Sequence, residues 1–217
     1  MASFTYAYSQ PGAYHFCQDS VLAPKLIAND VLAAEELADR QGAQPLRALD
    51  AYAGCGVMAF ELMHALNLRG RLDSIAQFDF IEVQPEFERH FRENVRITSA
   101  GIPFSWKAEN ASILQTKLYQ DRYDLIIANP PYFQRGEGTL SANEMNNRAR
   151  FFLDDSIESM LKGFRNALAP QGRAYFLMKS GKEHGRDAFA SARLAFHDCQ
   201  VGRLASVRGT DLIRCLR

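Results

Sequence analysis

The stretch LRALDAYAGCG, residues 46–56, decides the fold of this chain. Its first six residues are mostly apolar and are typical of a short buried strand. Gly54 and Gly56 come next, and because they lack a Cβ they let the backbone turn tightly and approach a ligand closely. A helical pattern follows near residues 57–68. A strand, a glycine turn and a helix in this order predict one unit of a parallel α/β sheet.

Strand-like and helix-like segments alternate along the rest of the chain. Further strands are predicted at residues 75–82, 103–106, 123–128, 172–178, 198–207 and 210–216. Further helices are predicted at residues 20–38, 85–99, 150–168 and 184–196. Such alternation is typical of a doubly wound sheet, so we expect a single α/β domain with a seven-stranded, mostly parallel sheet and helices on both faces. Residues 1–43 would form an N-terminal cap and residues 44–217 the core.

Composition and charge narrow the function classes. The chain has 217 residues, 47% of them hydrophobic, with 25 basic and 25 acidic side chains. The zero net charge excludes proteins that bind nucleic acid by bulk charge. Residues 1–132 carry 11 basic and 16 acidic side chains and residues 133–217 carry 14 and 9, so a polyanion could lie against the C-terminal part. Because no apolar run is long enough for a membrane span and no signal peptide is visible, we expect a soluble cytoplasmic protein.

Metal chemistry is not expected. The cysteines are isolated from one another and form no Cys-x-x-Cys pair; they are Cys17, Cys55, Cys199 and Cys215. Reduced thiols without a metal are therefore predicted. Glu61 and His64 lie three residues apart in a helical stretch, and we interpret them as a pair on the helix surface rather than as ligands.

Glu82 ends the second predicted strand, 26 residues after Gly56. A carboxylate at this place can accept hydrogen bonds from both hydroxyls of a ribose. The glycine turn has alanine at position 59, where a dinucleotide-binding Gly-x-Gly-x-x-Gly turn has its third glycine. The alanine weakens a dinucleotide interpretation, since that motif prefers glycine there.

The most specific signal is Asn129-Pro130-Pro131-Tyr132, directly after the strand at 123–128. The prolines fix the backbone, and neither Pro130 nor Pro131 has an N–H to donate. The Asn129 side-chain oxygen and the Pro130 carbonyl are two acceptors, and Tyr132 adds a flat ring. Two acceptors and a ring suit a planar NH₂ group, which predicts chemistry on an amino nitrogen.

Together these residues resemble SAM (S-adenosylmethionine)-dependent methyltransferases that modify exocyclic amino nitrogens. More narrowly, the chain is similar to the bacterial tRNA(Val) adenine-N6 methyltransferases, through residues 14–22, 80–86, 92–95, 129–133, 136 and 149–150. The resemblance implies a Rossmann-like class I SAM-dependent methyltransferase fold, SAM as cofactor and tRNA as substrate. It also implies methylation of adenosine N6 next to the anticodon, by a monomer without a metal.

The resemblance also assigns roles to residues. The catalytic residues would be Asn129, Pro130, Pro131 and Tyr132. The cofactor would contact Asp19, Asp50, Tyr52, Gly54, Gly56, Glu82, Val83, Asn110, Ala111 and Asn129. The substrate would contact Tyr132, Phe133, Arg135, Arg148 and Arg150. Tyr52 stands where many such enzymes have a glycine, and Asn110 stands where an aspartate contacts the adenine, with Glu109 as the alternative. Residues 133–147 are predicted to be an irregular, flexible loop that orders over the substrate.

Other substrates remain open at this point. A protein glutamine-N5 methyltransferase would use the same acceptors on a side-chain amide, although such enzymes usually carry an additional N-terminal helical domain. A 16S rRNA guanine-N2 methyltransferase is a further alternative, and DNA adenine methylation is disfavoured because no target-recognition domain is visible. A non-catalytic binding subunit with the same fold is the alternative from another class.

Overall fold

The computed structural model describes residues 5–12, 15–37, 44–98, 101–181 and 186–217. Parts of some predicted segments lie outside these residues: Tyr14 of the N-terminal similarity, residues 38 and 99 at two helix ends, and residues 184–185 at a helix start. The limits of the predicted cap, residues 1 and 43, also lie outside them. Within the described part of the chain, no helix combines the length and apolarity that crossing a membrane requires.

A seven-stranded sheet forms the centre of the molecule, as predicted. The strands are β1 (Leu46–Ala51), β2 (Ile75–Glu82), β3 (Phe104–Ala108), β4 (Tyr123–Ala128), β5 (Phe133–Gln134), β6 (Phe151–Phe152), β7 (Leu168–Met178), β8 (Gln200–Val207) and β9 (Thr210–Leu216). Seven of these strands form the central sheet, in the order β3-β2-β1-β4-β7-β9-β8. The two short strands β5 and β6 pair with each other and lie outside it. The first five strands of the sheet are parallel, and β9 pairs antiparallel with both β7 and β8. The mostly parallel sheet is confirmed.

Helices cover both faces of this sheet. They are α1 (Asp19–Leu37), α2 (Val57–Asn67), α3 (Glu88–Thr98), α4 (Glu144–Arg150), α5 (Ile157–Ala167) and α6 (Ala188–Ala195). One buried apolar cluster includes Ile27 of α1, Phe60 of α2 and Phe91 of α3. The other includes Phe164 of α5 and Ala192 of α6. Each sheet face therefore buries its own core, which explains the apolar runs of the central strands.

The strand register brings the predicted site residues to one edge of the sheet. Ala51, the last residue of β1, lies opposite Ile81 of β2 and Ala128 of β4. Glu82 lies opposite Ala108 of β3. The residues that follow these positions therefore meet at the carboxyl ends of four parallel strands. The chain order reverses at β1, and such switch points are where open α/β sheets bind ligands.

The predicted helix at residues 150–168 is wrong at its start. Helix α4 ends at Arg150, β6 follows, and α5 begins only at Ile157. Ser156 caps α5, because its Oγ accepts a hydrogen bond from the Ser159 N–H at 3.1 Å. Residues 133–147 are also not irregular throughout, since they contain β5 and the first part of α4.

Glu61 and His64 do not form a helix-surface pair. Glu61 is 1% exposed, and its carboxylate accepts hydrogen bonds from the Thr5 hydroxyl at 2.7 Å and the Tyr8 hydroxyl at 2.9 Å. The His64 ring bonds the Tyr6 hydroxyl at 3.0 Å. The N-terminal segment lies across this face of α2 and supplies hydroxyl partners, which is why a carboxylate is tolerated in the core.

Gly56 is expected to be the least replaceable glycine of the turn. Its φ is +82°, and an added Cβ would lie 2.6 Å from Phe60 Cε2 and 3.0 Å from Phe91 Cδ2. Gly56→Ala should lower the free energy of unfolding by about 2–4 kcal/mol, from the left-handed backbone and from overpacking. Urea unfolding measures this.

Gly70 offers a matched control for that experiment. Its φ is +64°, but an added Cβ would meet nothing within 4 Å. Gly70→Ala should therefore cost only about 1–2 kcal/mol, the backbone term alone. Equal losses for the two variants would contradict the overlap with Phe60 and Phe91.

Candidate functional site

A large cleft opens at the carboxyl ends of β1, β2, β3 and β4 and has a volume of about 600 Å³. Its walls come from the glycine turn, the end of β2, the segment after β3 and residues 148–155. The predicted residues that line it are Tyr52, Gly54, Glu82, Val83, Asn110, Ala111, Asn129, Pro131 and Arg148.

Glu82 holds the floor of this cleft in place. Its Oε2 accepts a hydrogen bond from the Gly54 N–H and its Oε1 accepts one from the Gln84 N–H, each at 2.9 Å. Burial, partly offset by these backbone hydrogen bonds, raises the pKa of Glu82 to about 7. The carboxyl therefore joins the glycine turn to the end of β2, and each oxygen keeps a lone pair for a ligand.

A second, smaller cleft of about 340 Å³ adjoins the glycine turn. Asp50, Ser20, Gly54 and Asn129 contribute to its lining. Asp50 is 1% exposed, and its Oδ2 has no hydrogen-bond partner among the described residues. Burial raises the pKa of Asp50 well above its ordinary value. A buried carboxyl oxygen without a partner beside a cavity is an acceptor available to a ligand.

Tyr52 replaces glycine without preventing the turn. Its φ is +60°, in the left-handed region that favours glycine. Its hydroxyl donates a hydrogen bond to Asp155 Oδ2 at 2.9 Å, and its ring meets Phe152 and Phe164 edge to face. Contacts of the side chain therefore offset the strain of the backbone at this position.

Asn129 is tied to the start of α1 and to Tyr132. Its Nδ2 donates a hydrogen bond to Ser20 Oγ at 3.0 Å. The Tyr132 hydroxyl lies 2.9 Å from Asn129 Oδ1 and 3.1 Å from Asp19 Oδ2. Its single proton can bond only one of the two at a time. Burial, and then the nearby Cys17 and Asp19, raise the pKa of Tyr132, so the hydroxyl stays protonated. The hydrogen bond from Asn129 Nδ2 to Ser20 Oγ fixes the orientation of the Asn129 amide.

A third cleft, of about 540 Å³, lies on the outer side of this loop. It is lined by His15, Cys17, Asn129, Pro130, Tyr132, Phe133, Ala149 and Arg150. Asn129 lines this cleft and both of the others. The asparagine side chain therefore stands where three cavities meet, which is the position required of a group that touches two ligands.

Asn110 and Glu109 both line the large cleft but differ in their hydrogen-bond partners. The Asn110 Oδ1 accepts the Ser112 N–H at 2.8 Å, and its Nδ2 donates to the Asp154 carbonyl at 2.6 Å. Glu109 also lines the large cleft. Its Oε2 is buried and has no hydrogen-bond partner within the described chain. Glu109 Oε2 is therefore an acceptor without a partner, whereas Asn110 Oδ1 keeps one lone pair beside its bond to Ser112.

Four other predicted residues lie away from the clefts expected for them. Gly56 begins α2 and contacts Phe60 rather than lining a cleft. Asp19 bonds Tyr132, as described above. Arg135 is exposed and donates to the Leu153 carbonyl at 3.1 Å. Arg148 lines the large cleft and forms ion pairs with Glu144 at 3.1 Å and Asp154 at 3.7 Å.

The sequence analysis missed residues 151–155, which form one wall of the large cleft. The signal was present: Asp154-Asp155-Ser156 is an acidic, cap-forming triplet of the kind that precedes a helix. It would have placed the helix start at residue 157 and freed the preceding residues for the site. His15 lies in the segment 14–22 that carries the resemblance but was not predicted as a site residue, and the tertiary fold brings it to the outer cleft.

Sequence comparisons with known proteins match part of the chain. No protein-family model matches the chain. The chain is 36% identical over 91 residues to a tRNA1(Val) (adenine(37)-N6)-methyltransferase from Escherichia coli, covering 42% of this chain and 34% of that protein. It is 26% identical over 126 residues to the protein of the same name from Bacteroides fragilis, covering 58% and 49%. The chain thus spans less than half the length of these relatives.

The similarity to solved structures extends over most of the chain. A SAM-dependent methyltransferase from Agrobacterium tumefaciens has a TM-score of 0.59 at 16% identity, covering 93% of this chain and 62% of that one. A 16S rRNA N2 G1207 methyltransferase from T. thermophilus, in complex with AdoMet and guanosine, has a TM-score of 0.59 at 14% identity, covering 95% and 44%. With its seven-stranded sheet, the chain has the class I SAM-dependent methyltransferase fold.

Proposed function

We propose that the chain is a SAM-dependent methyltransferase that modifies N6 of an adenosine in tRNA, next to the anticodon. It would act as a monomer in the cytoplasm, without a metal. The observation that carries the proposal is the position of Asn129, which lines the two clefts beside the glycine turn and the outer cleft as well. A methyl donor on one side and an amine on the other would both reach this side chain.

The residues of the inner clefts fit SAM. The cofactor carries a positively charged amino group at one end, an adenine amino group at the other and two ribose hydroxyls between them. Asp50 Oδ2 and Glu109 Oε2 are buried acceptors without a partner in the described chain. They match the two amino groups, and Glu82 matches the hydroxyls. An added Cβ on Gly54 would come no closer to another residue than 3.9 Å from Phe87 Cε1, so this turn leaves the floor of the cleft open.

When bound, SAM supplies an electrophilic methyl group on sulfur. The chain itself has to activate a poor nucleophile, because the lone pair of an exocyclic amine is delocalised into its ring. Asn129 Oδ1 and the Pro130 carbonyl would accept the two amine hydrogens and stabilise the positive charge that develops on nitrogen. Tyr132 already bonds Asn129, so its side chain orients this acceptor and closes one side of the outer cleft.

Adenosine in tRNA is supported as the substrate by the names of the sequence relatives. The basic excess of residues 133–217 adds an electrostatic argument, because a polyanion would lie against this part of the chain. A nucleotide in a tRNA loop is already partly unstacked, which lowers the free energy needed to bring its base into the outer cleft.

Nucleoside mass spectrometry tests the proposal. The protein is incubated with SAM and with tRNA from a strain that lacks the enzyme, and the digest is searched for N6-methyladenosine. We expect N6-methyladenosine in a tRNA that reads valine codons, next to the anticodon. In parallel incubations with rRNA or with cell protein in place of tRNA, N2-methylguanosine or methylated glutamine would replace the proposed substrate. No SAM binding in a titration calorimeter would contradict the enzyme assignment altogether.

A further inference from the structure

Two cations surround one aromatic ring at the mouth of the outer cleft. The Arg150 guanidinium carbon lies 5.9 Å from the centroid of the Phe133 ring, and Lys179 Nζ lies 5.5 Å from the same centroid. Phe133 and Arg150 line the cleft beside Asn129 and Tyr132. Arg150 and Lys179 are both exposed. Two like charges thus lie against the same ring, beside the place proposed for the target nucleotide.

The neighbouring cations are engaged within the protein. Arg148 forms ion pairs with Glu144 and Asp154, and Arg186 forms a buried ion pair with Glu137. Arg150 and Lys179 form no ion pair with any residue that the structure describes. Arg150 and Lys179 are therefore available to bind an anion from solution, whereas Arg148 is already paired within the protein.

The backbone of Lys179 is fixed relative to the catalytic loop. The Arg186 guanidinium donates hydrogen bonds to the Lys179 carbonyl at 3.2 Å and to the Tyr132 carbonyl at 3.1 Å. The Arg186 side chain is only 9% exposed and the Glu137 side chain 10%. One buried guanidinium therefore sets the distance between Lys179, at the end of β7, and Tyr132.

We propose that Lys179 and Arg150 bind the phosphates that flank the target nucleotide of a single-stranded RNA segment, with the Phe133 ring between the RNA backbone and the outer cleft. The inference rests on the proposed function and adds Lys179 to the substrate site. Cations interleaved with an aromatic ring are the usual surface for single-stranded nucleic acid. Each phosphate that a side chain neutralises releases counterions, so binding should weaken with salt.

The test measures RNA binding and methyl transfer separately. The probe is a fluorescein-labelled stem-loop RNA with the sequence of a valine tRNA anticodon arm, titrated by anisotropy at several KCl concentrations. Lys179→Gln should raise Kd about three- to tenfold at low salt and lower the slope of log K against log salt by about 0.7. Lys179→Arg should keep both values. Lys162→Gln, which removes an exposed lysine on α5, is the matched control and should change neither.

The outcomes separate the inference from the proposed function. An unchanged salt slope for Lys179→Gln, with the wild-type protein binding the RNA, would overturn the phosphate site and leave the methyltransferase proposal standing. A reduced slope in a protein that binds but does not methylate the RNA would support the phosphate site and contradict the proposed activity. Absence of RNA binding by the wild-type protein would overturn both.

Discussion

Replacing Asn129 by alanine is expected to lower kcat for methyl transfer about 10²–10³-fold, the effect typical of removing one acceptor or donor aimed at a transition state. The amide oxygen is lost at the point where the three clefts meet. KM for RNA should change little, because phosphate contacts supply most of RNA affinity. Initial rates with a saturating valine tRNA measure the effect.

Two further variants make the Asn129 result specific. Asn129→Asp keeps an acceptor oxygen and should retain more activity than the alanine variant. Asn146→Ala removes an amide from α4, away from the lining of the three clefts, and should act as the wild type. Calorimetric titration with SAM shows whether the cofactor still binds. Methylation at the wild-type rate by Asn129→Ala would refute the role proposed for this side chain.

Tyr132 acts on the same acceptor through its hydroxyl. Because that hydroxyl bonds Asn129 Oδ1 or Asp19 Oδ2, it competes with the amine for one lone pair of Asn129 while leaving the other. Asp19 therefore matters: when it accepts the phenol proton, Asn129 is fully available to the substrate. The start of α1 and the loop at residues 129–132 are therefore coupled through this one proton.

The meeting of Asp50, Glu82 and Asn129 was predictable from the sequence because each lies at the end of a strand or directly after it, and parallel strands end at one edge of their sheet. The register confirms this, with Ala51 opposite both Ile81 and Ala128. Local chain direction is enough for such a prediction. It needs no knowledge of how distant segments pack.

Features that depend on distant contacts were not predictable in the same way. Glu61 looked like a surface residue because its partners, Thr5 and Tyr8, lie more than 50 residues away along the chain. Asn110 donates to the Asp154 carbonyl, 44 residues away along the chain. Lys179 is placed relative to Tyr132 by Arg186, whose guanidinium bonds the carbonyls of both residues. In each case a hydrogen bond between remote segments decides the role, and residue type alone does not reveal it.

Replacing Glu82 by glutamine is expected to weaken SAM binding about 10- to 100-fold, since hydrogen bonds to a charged acceptor contribute about 1.5–3 kcal/mol each. The affinity of the wild-type protein should also depend on pH. Burial raises the pKa of Glu82 to about 7, and the ionised carboxylate is the better acceptor for ribose hydroxyls. Affinity should therefore rise as the pH rises through about 7 and level off above it. Titration calorimetry with SAM between acidic and mildly alkaline pH measures this, and Glu82→Gln should give a flat profile.

The stability of the free protein should change with pH in the opposite direction. The carboxyl has a pKa of 4.5 in the unfolded chain and about 7 in the folded one, so the folded state binds the proton more tightly. The resulting stabilisation is fully present below pH 4.5 and is lost as the pH rises through about 7, a change of about 3 kcal/mol. The difference in unfolding free energy between wild type and Glu82→Gln isolates this change from other titrating groups. Glu82 accepts the hydrogen bonds from Gly54 and Gln84 in either protonation state. A difference in unfolding free energy between wild type and Glu82→Gln that stays constant across this pH range would show that folding does not raise the pKa of Glu82. The pH dependence expected for SAM binding would then have no cause in Glu82.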